Sequence, residues 1–474
     1  MTNAKQFASD VIIGLEIHVQ LNTKTKLFCG CSTQGSEEPN TRTCDVCLGF
    51  PGSKPVLNKA ALDAGLRLAL ALGCTISPKL IFSRKSYFYP DLAKNYQISQ
   101  HELPLGAGGK LALNDGTLVH ITRAHLEEDP ASLIHQGSAG QGYVLIDYNR
   151  SGNPLCEIVT APDMRGAEQA REFLNRLVSV LEYLEIFDLG SCIIKADANV
   201  SIAESGYIRA EIKNITGFKE IERALTFEVE RQKLAVQRGE RLVQETRGWD
   251  PAAGVTSALR LKETEADYGY ILDPDLVSVD ITNNMVKDAQ ANLPELPAAK
   301  TKRFVEQYQV KFEDAMILAA ERSLAHLFET VAKKFDSSFA VRWLRHELSA
   351  VLNAKQTTWS AAGLDERLLL ELFELVQSRT VTDLTARDLL QKLFERPFSP
   401  KEYVAKHKLA SISDRGELEK IAKKIVDENP QAAEDVKSGE SKALNFLIGK
   451  VMHQTKGKAD AGVARQLIMK ILER

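Results

Sequence analysis

The sequence predicts an α+β protein in which a large mixed-sheet domain precedes two helical domains. Between residue 11 and about residue 290, apolar and polar residues alternate in several segments, as they do in β-strands with one buried face. Beyond residue 304 the alternation stops, and apolar residues recur at the helical period. We therefore expect a mixed-sheet domain over residues 1–293, a helical domain over 294–405 and a small helical tail over 406–474.

Prolines and charge mark the two borders. Pro294 and Pro297 interrupt regular structure where the strand pattern ends. The second border lies within 394–413 and precedes a basic segment, because residues 401–474 contain 15 Lys and Arg against 11 Asp and Glu. The whole chain has a formal charge of −3, which predicts no strong overall attraction to nucleic acid but leaves room for a local basic patch.

The composition is that of a globular protein, with 44% apolar and 26% charged residues. Residues 1–10 lack the apolar stretch of a signal peptide, and no later run approaches the roughly 18 apolar residues of a membrane span. Seven cysteines, an odd number, favour reduced thiols or metal ligands over a disulfide framework. We expect a cytoplasmic protein without a membrane partner.

The first predicted strand covers residues 11–21. Apolar residues occupy every second position from Ile13 to Leu21, which places Glu16 and His18 together on the opposite face. A solvated strand face would be served as well by Lys, Thr or Ser. A carboxylate and an imidazole two residues apart are therefore candidate ligands of a metal ion.

Four cysteines follow in two close pairs, Cys29 with Cys31 and Cys44 with Cys47, separated by a polar loop. Four thiolates suit a tetrahedral structural Zn²⁺, which leaves no coordination position open for catalysis. The alternative is a set of unrelated reduced thiols. Paired spacing within so short a segment favours zinc.

Cations and aromatic residues alternate in the segment 82–100. Arg84, Lys85 and Lys94 are interleaved with four aromatic side chains, a mixture that suits phosphates and stacked bases. The alternative is an amphipathic strand with a buried aromatic face and solvated cations. The glycine-rich residues 104–110 that follow predict a hairpin turn.

Three later strands repeat the mixed polar face of the first one. A helix at 168–187 lies among them. A single charged strand face is often merely solvated, but four in one domain predict a pocket if the strands are neighbours. Acids would then hold Mg²⁺, and Arg and Lys would bind phosphate oxygens, as phosphoryl transfer requires. The residues on these three faces are Arg123, His125 and Glu127 with Glu128 next to them; Lys195, Asp197, Asn199 and Ser201; and Arg209, Glu211 and Lys213.

Near the carboxy terminus, two amphipathic helical segments flank a loop that contains Lys456 and Lys458. The loop is either simply solvated or contacts an RNA backbone. Elsewhere the chain lacks a P-loop, a dinucleotide-binding glycine motif and a G-x-S-x-G elbow. Nothing in the sequence resembles a nucleophile for acyl transfer.

Long unbroken strings of the sequence resemble the GatB family, the B-type subunits of the aspartyl/glutamyl-tRNA amidotransferases. They include "GLEIHVQL", "NTRTCDVCLGFPGSKPVLN", "RKSYFYPDLAKNYQISQ", "ITRAHLEED", "DYNRSGNPLCEIV", "NLPELP" and "VMHQTKGKAD". The resemblance extends over essentially the whole chain. It implies a cradle domain, a helical domain and a tail that touches tRNA.

The resemblance also implies a reaction and partners. Proteins of this family use ATP and Mg²⁺ to phosphorylate the side-chain carboxylate of Asp or Glu misattached to tRNA(Asn) or tRNA(Gln), and ammonia then displaces the phosphate. Ammonia comes from a separate amidase-type glutaminase subunit, and a small third subunit holds the two together. Which misacylated tRNA is the natural substrate stays open at this point.

Transferred position by position, the resemblance assigns roles to residues of this chain. Lys85 and Lys94 correspond to positions near the end of the ammonia channel, and the four cysteines correspond to the zinc-bearing members. Pro130 departs from the family pattern and predicts a stiffer loop beside the acids. The expected magnesium ligands are Glu16, His18, Glu127 and Glu211; the expected catalytic residues are Glu127, Glu128, Glu211, Lys85 and Lys94; the expected contacts to ATP are Arg84, Arg123, Asp197, Asn199 and Lys213; and the expected contacts to tRNA are Lys456 and Lys458.

Two hypotheses from different classes result. The first is an ATP-dependent amide-forming ligase subunit. The second is a non-catalytic scaffold that presents a charged tRNA to another enzyme. A scaffold has use for the basic loop and tail but none for Glu16, His18 and Glu211 gathered together, so the acid-rich strands favour the ligase.

Overall fold

A computed structural model describes residues 10–136, 142–188, 190–261, 269–411, 415–455 and 457–472. The chain forms two compact units, Met1–Leu296 and Pro297–Arg474. The first unit contains sheet and helix, and the described part of the second is helical, so the predicted α+β class is confirmed. The further border predicted at 405/406 within the second unit stays a prediction.

Sixteen strands are described, all in the first unit. They are β1 (Val11–Gln20), β2 (Thr75–Ile76), β3 (Lys79–Leu80), β4 (Ser83–Ser86), β5 (Tyr96–Ser99), β6 (Gly106–Ala112), β7 (Leu118–Glu128), β8 (Ser132–Gln136), β9 (Tyr143–Asp147), β10 (Pro154–Thr160), β11 (Ile194–Ile202), β12 (Ala210–Ile215), β13 (Glu245–Asp250), β14 (Val255–Leu261), β15 (Gly269–Leu272) and β16 (Val279–Asp280).

Nine strands form one mixed sheet in the order β14-β13-β12-β11-β1-β10-β7-β6-β2. Among the described pairs of this sheet, β12 and β13 run parallel and the others antiparallel. Smaller sheets have the orders β15-β4-β5, β16-β3 and β8-β9. The central place of β1 explains its alternation, because one face of a central strand packs on the core while the other can hold polar groups.

Helices cover the apolar face of the sheet. They are α1 (Lys59–Ala71), α2 (Ala167–Tyr183) and α3 (Phe218–Gln237), and a fourth helix, α4 (Asn283–Ala291), packs on α1. Their apolar side chains join Ile13, Leu15 and Ile17 of β1 in a single core. The helix predicted at 168–187 ends earlier than expected, because Leu184 caps it and Glu185 adopts a left-handed φ of 55°.

The second unit is helical throughout its described part. Its helices are α5 (Pro297–Tyr308), α6 (Phe312–Leu318), α7 (Arg322–Lys334), α8 (Ser337–Ala340), α9 (Ser349–Ala354), α10 (Trp359–Ala362), α11 (Glu366–Gln377), α12 (Asp383–Glu395), α13 (Pro400–Lys406), α14 (Arg415–Glu428), α15 (Pro430–Lys437), α16 (Ser441–Gln454) and α17 (Ala461–Leu472), with a π-helical segment, Val341–Leu348, between α8 and α9. Residues of α14, α16 and α17 form an apolar core of their own. Within the described residues, no helix combines the length and apolar character that crossing a membrane requires.

Candidate functional site

The four strands with mixed polar faces belong to the same sheet. β1, β11 and β12 are consecutive neighbours, and β10 lies between β1 and β7. The register places His18 opposite Glu157 of β10 and Lys195 of β11, and places Glu157 opposite His125 of β7. The expected convergence of these strands is therefore confirmed, and β10 contributes an acid that sequence reasoning had not selected.

His18, Glu127 and Glu157 form a close group on this polar face. His18 Nε2 lies 3.4 Å from Glu127 Oε1 and 3.4 Å from Glu157 Oε2. Both carboxylates are buried, with Glu127 3% and Glu157 7% exposed. One donor atom from each residue lies within 4.8 Å of the others, and an imidazole nitrogen with two carboxylate oxygens suits a hard divalent cation. The residues present therefore fit a Mg²⁺ ion.

The electrostatics of this group are those of a cation site. Burial opposes the charge of His18, but the hydrogen bond to Glu157 and the charges of both acids outweigh it and raise its pKa to about 9. Burial also opposes the charges of the two acids, yet contacts with His125 and His18 lower the pKa of Glu127 and hold the pKa of Glu157 well below its usual value. The two carboxylates are thus ionised, and a proton on His18 competes with a metal ion for the same place.

Two neighbours complete the group. His125 Nε2 lies 3.7 Å from both Glu127 Oε2 and Glu157 Oε2, and its buried Nδ1 has no hydrogen-bond partner in the described structure. Arg123, expected to contact ATP, lies with Nη2 3.3 Å from Glu157 Oε1 while about half of its side chain stays exposed. The sequence contained one sign of Glu157: a lone acid inside the apolar run "PLCEIV".

The structure does not bring Glu16 and Glu211 into the three-residue group. Glu16 Oε1 accepts a hydrogen bond from Asn199 Nδ2 at 3.3 Å. Lys213 Nζ lies 3.2 Å from Glu211 Oε1 and 2.8 Å from Asp197 Oδ2. Despite burial, these acids raise the pKa of Lys213. Two of the four expected magnesium ligands thus lie outside the group, and three of the expected ATP contacts already bind acids of neighbouring strands.

Glu128 forms an ion pair with Lys94. Lys94 Nζ lies 2.6 Å and 2.7 Å from the two carboxylate oxygens, and the backbone N–H of Ile98 donates to Oε1 at 2.8 Å. The side chains of Lys94 and Glu128 are only 10% and 6% exposed. Since successive residues of a strand point to opposite faces, Glu127 belongs to the histidine group and Glu128 to the lysine.

The two cations of β4 have different environments. Lys85 lines the cleft beside the sheet. Arg84 Nε lies 2.9 Å from Asp273 Oδ2, Arg84 Nη2 lies 3.0 Å from Asp275 Oδ2, and the guanidinium stands 4.4 Å from the centre of the Tyr96 ring. Arg84 is not among the described residues that line the cleft, and these contacts favour a role in joining β4 to the chain after β15.

The cleft has a volume of about 970 Å³, enough for a small-molecule ligand. It combines acids, cations and aromatic rings. The principal lining residues are His18, Glu127, Asp129 and Asp197; Lys85, Arg150, Lys195 and Lys213; and Tyr87, Phe88 and Tyr89.

Sequence reasoning selected neither Arg150 nor Lys195 for the site. Arg150 Nη2 donates to Asp129 Oδ1 at 2.7 Å. Lys195, opposite His18, makes no ion pair with a carboxylate in the described structure. Partial removal from water and the charge of Arg150 lower the pKa of Lys195. Lys195 can therefore offer its charge to an anionic ligand, whereas Arg150 is already held in place.

The four cysteines predicted as metal ligands come together. Their Sγ atoms lie within 4.8 Å of one another, and the backbone N–H of Cys44 donates to Cys47 Sγ at 3.2 Å. A hydrogen bond from the Cys29 thiol, together with the charge of Lys26, lowers the pKa of Cys47 to about 4 against the effect of burial. At least one thiolate is therefore present at neutral pH, and the donor set fits a tetrahedral metal site.

The expected tRNA contacts belong to the loop after α16. Lys456 lies outside the described residues. Lys458 follows Gly457, whose carbonyl accepts a hydrogen bond at 2.7 Å from the side chain of Thr382, the N-cap of α12. The loop is therefore docked on a helix N-terminus of its own unit, and the RNA contact stays a prediction.

Gly49 links the cysteine loop to the Lys94–Glu128 pair and supports a test of packing. Its φ is +69°, and a Cβ built there would lie 2.3 Å from Lys94 Cγ. We expect Gly49→Ala to displace Lys94 and to destabilise the chain by about 1–3 kcal/mol more than the backbone cost. Gly52→Ala is the matched control, because Gly52 has a φ of +85° with nothing within 4 Å of the built Cβ. It should show only the backbone cost of about 1–2 kcal/mol.

Denaturant unfolding of both variants measures this difference. Equal losses of unfolding free energy for Gly49→Ala and Gly52→Ala would show that the contact with Lys94 contributes nothing.

The sheet and the groups on its polar face define a catalytic domain of the GatB/GatE class. The family model described as the GatB/GatE catalytic domain matches residues 11–287, and the model described as the GatB domain matches residues 326–472. The first match alone spans more than half of the chain.

Full-length relatives make the assignment more specific. Proteins named as the B subunit of an aspartyl/glutamyl-tRNA(Asn/Gln) amidotransferase match from Carboxydothermus hydrogenoformans, 42% identical over 97% of this chain and 98% of its own, and from Methanoregula boonei, 43% identical over 98% of both. The protein of that name from Methanospirillum hungatei is 44% identical over 98% of this chain and 99% of its own. The chain therefore belongs to the GatB family, which confirms the resemblance found in the sequence.

Proposed function

We propose that the chain is the ligase subunit of a glutamine-dependent tRNA amidotransferase, the activity named for its relatives. The side-chain carboxylate of Asp on tRNA(Asn), or of Glu on tRNA(Gln), attacks the γ-phosphorus of ATP, and ADP leaves. Ammonia then attacks the carbonyl carbon of the acyl phosphate. The bond from that carbon to the phosphate oxygen breaks, the nitrogen loses a proton, and Asn-tRNA(Asn) or Gln-tRNA(Gln) is released.

The observation that supports this proposal best is the mixture of acids and cations in one cleft. Phosphoryl transfer between two anions depends on positioning and on positive charge around the transferring group. Lys195 and Lys85 can bind phosphate or carboxylate oxygens, and Arg150 is held beside them by Asp129. A non-catalytic scaffold would have no use for such a cleft, so the second hypothesis is the weaker one.

His18, Glu127 and Glu157 would hold the Mg²⁺ ion. A bound Mg²⁺ supplies positive charge for the oxygens of ATP and orients them for transfer. The chain's own contribution is to keep both carboxylates ionised and dry, with His125 and Arg123 fixing them from the adjacent strand.

Ammonia is assigned to a partner. The relatives are named as one subunit of an amidotransferase, which supports a complex, and the resemblance supplies an amidase-type glutaminase subunit and a small third subunit. Cys156 is sealed in the core, where burial raises its pKa, so its thiol does not serve as a glutaminase nucleophile. The Lys94–Glu128 pair is the candidate point of ammonia entry.

The remaining assignments complete the proposal. Zn²⁺ occupies the four-cysteine site and stabilises the loop. The tail over 406–474 contacts tRNA through Lys456 and Lys458, and the complex works in the cytoplasm. Glu16, Glu211, Asp197, Asn199 and Lys213 form the wall of the cleft beside the cation group and keep their proposed roles in metal and ATP binding.

Reconstitution with the glutaminase subunit and the small third subunit tests the function. With ATP, glutamine and each misacylated tRNA in turn, we expect one ADP for each amide formed, on at least one of the two tRNAs. Ammonium chloride should replace glutamine and its hydrolysis by the glutaminase but should not replace ATP. Amide formation without ADP, or ADP formation indifferent to the aminoacyl group, would contradict a phosphorylated carboxylate. Product from one tRNA alone would settle specificity.

A further inference from the structure

Lys26 is a fully buried lysine beside the cysteine cluster. Its side chain is 0% exposed, and its Nζ lies 3.6 Å from Cys47 Sγ and 3.2 Å from the carbonyl oxygen of Tyr148. In the described structure it makes no ion pair with a carboxylate. An ammonium group removed from water costs several kcal/mol unless an opposite charge and hydrogen bonds compensate. A carbonyl supplies only a partial charge, so the thiol cluster must supply the rest.

A metal-loaded cluster supplies that charge. Four thiolates around one Zn²⁺ have a net charge of −2, and the ammonium of Lys26 reduces it to −1. A donor to a ligand atom also fixes the orientation of that ligand, as partners of metal ligands usually do. The buried ammonium and the thiolates thus stabilise each other only when both are charged.

Lys26 also contacts the turn that carries the cleft wall. The backbone N–H of Leu27 donates to Gly152 O at 2.8 Å, and the N–H of Gly152 donates to Asp129 O at 2.8 Å. Arg150, in the same turn, donates to the carboxylate of Asp129, and both residues line the cleft. A short path of hydrogen bonds therefore runs from Cys47 to the cleft.

We propose that Lys26 is a positioning residue that couples the cysteine site to the cleft. It donates a hydrogen bond to a metal-bound thiolate at Cys47 and, through residues 148–153, holds Arg150 and Asp129 in place. Loading of the cysteine site then stabilises the cleft wall. This coupling requires a metal at the cysteines and does not depend on which reaction the cleft performs.

The first test replaces Lys26 in the full-length chain. We expect Lys26→Met to lose Zn²⁺ to a competing chelator about 10–100-fold more readily, the usual cost of removing a ligand's partner. In Co²⁺-substituted protein, the sulfur-to-cobalt charge-transfer band should move to lower energy, because the hydrogen bond that stabilises the thiolate electrons is gone. Lys26→Arg should restore much of both properties. Lys24→Met is the control, since Lys24 is exposed on the same segment.

The second test needs no variant, so it remains informative even if Lys26→Met fails to fold. Amide hydrogen exchange of the wild-type chain is compared before and after zinc removal. Residues 148–153 and Asp129 should exchange faster without zinc, whereas α2 should not change. An unshifted cobalt band in folded Lys26→Met overturns the hydrogen bond to thiolate. Unchanged exchange in the turn, or equal acceleration in α2, overturns the local coupling to the cleft.

Discussion

Glu157→Gln is expected to lower the rate of amide formation by at least about 100-fold while the chain stays folded. Glutamine preserves the size of the side chain but removes the charge that faces His18 Nε2 at 3.4 Å. Loss of a partner of a metal ligand already costs up to about 100-fold, and loss of a ligand should cost no less. The remaining pair, His18 and Glu127, would hold a divalent cation weakly.

Steady-state rates at increasing Mg²⁺ concentration measure the effect. We expect the variant to need far more Mg²⁺ for half-maximal ADP formation, with a smaller change in the KM for misacylated tRNA. Glu168→Gln is the control, because Glu168 lies in the first turn of α2, away from the polar face of the sheet. Wild-type activity and wild-type Mg²⁺ dependence in Glu157→Gln would remove this glutamate from the site.

The candidate site was predictable to the extent that it lies along strands. Alternation placed Glu16 and His18 on one face, but two residues along a strand are separated by about 6.6 Å, too far for both to join the same compact group. The third member, Glu157, comes from β10, a strand whose mostly apolar sequence gave no alternation. Strand order, which only the structure supplies, decides which acids meet.

Close approach of backbones was the other feature that the sequence concealed. The glycine-rich residues 104–110 predicted a hairpin turn, and residues 106–112 instead form strand β6. A Cβ at Gly109 would lie 2.5 Å from the carbonyl oxygen of Leu72, and one at Gly106 would lie 2.9 Å from Ala69 Cβ. The glycines are there because the end of α1 and the residues after it lie against the strand. Composition alone cannot distinguish this use of glycine from a turn.

The cysteines show the opposite case, since local spacing was enough. Paired thiols within a short segment predicted their meeting, and the four Sγ atoms do meet. Lys26 was invisible to the same reasoning, because a lysine in a polar segment is normally solvated. Only its burial beside Cys47 shows that the thiol cluster includes a cation of the chain.

Lys94→Met is expected to destabilise the sheet-bearing unit by about 3–5 kcal/mol, the usual cost of leaving a buried charge without its partner. The substitution leaves the Glu128 carboxylate, 6% exposed, with only the backbone N–H of Ile98 among the donors described here. Glu128→Gln should cost a similar amount for the same reason, because it leaves the ammonium of Lys94 unpaired. Denaturant unfolding of each variant measures these losses.

The double variant separates the pair from its burial. In Lys94→Met/Glu128→Gln no unpaired charge remains, so we expect it to be more stable than either single variant, with a coupling energy of about 1–3 kcal/mol between the two sites. Glutamine-dependent amide formation should not recover with stability, since ammonia entry is proposed to need the charged pair itself. Additive losses would mean that the two side chains act independently. Recovery of stability together with full glutamine-dependent activity would show that Lys94 and Glu128 hold the fold and take no part in delivering ammonia.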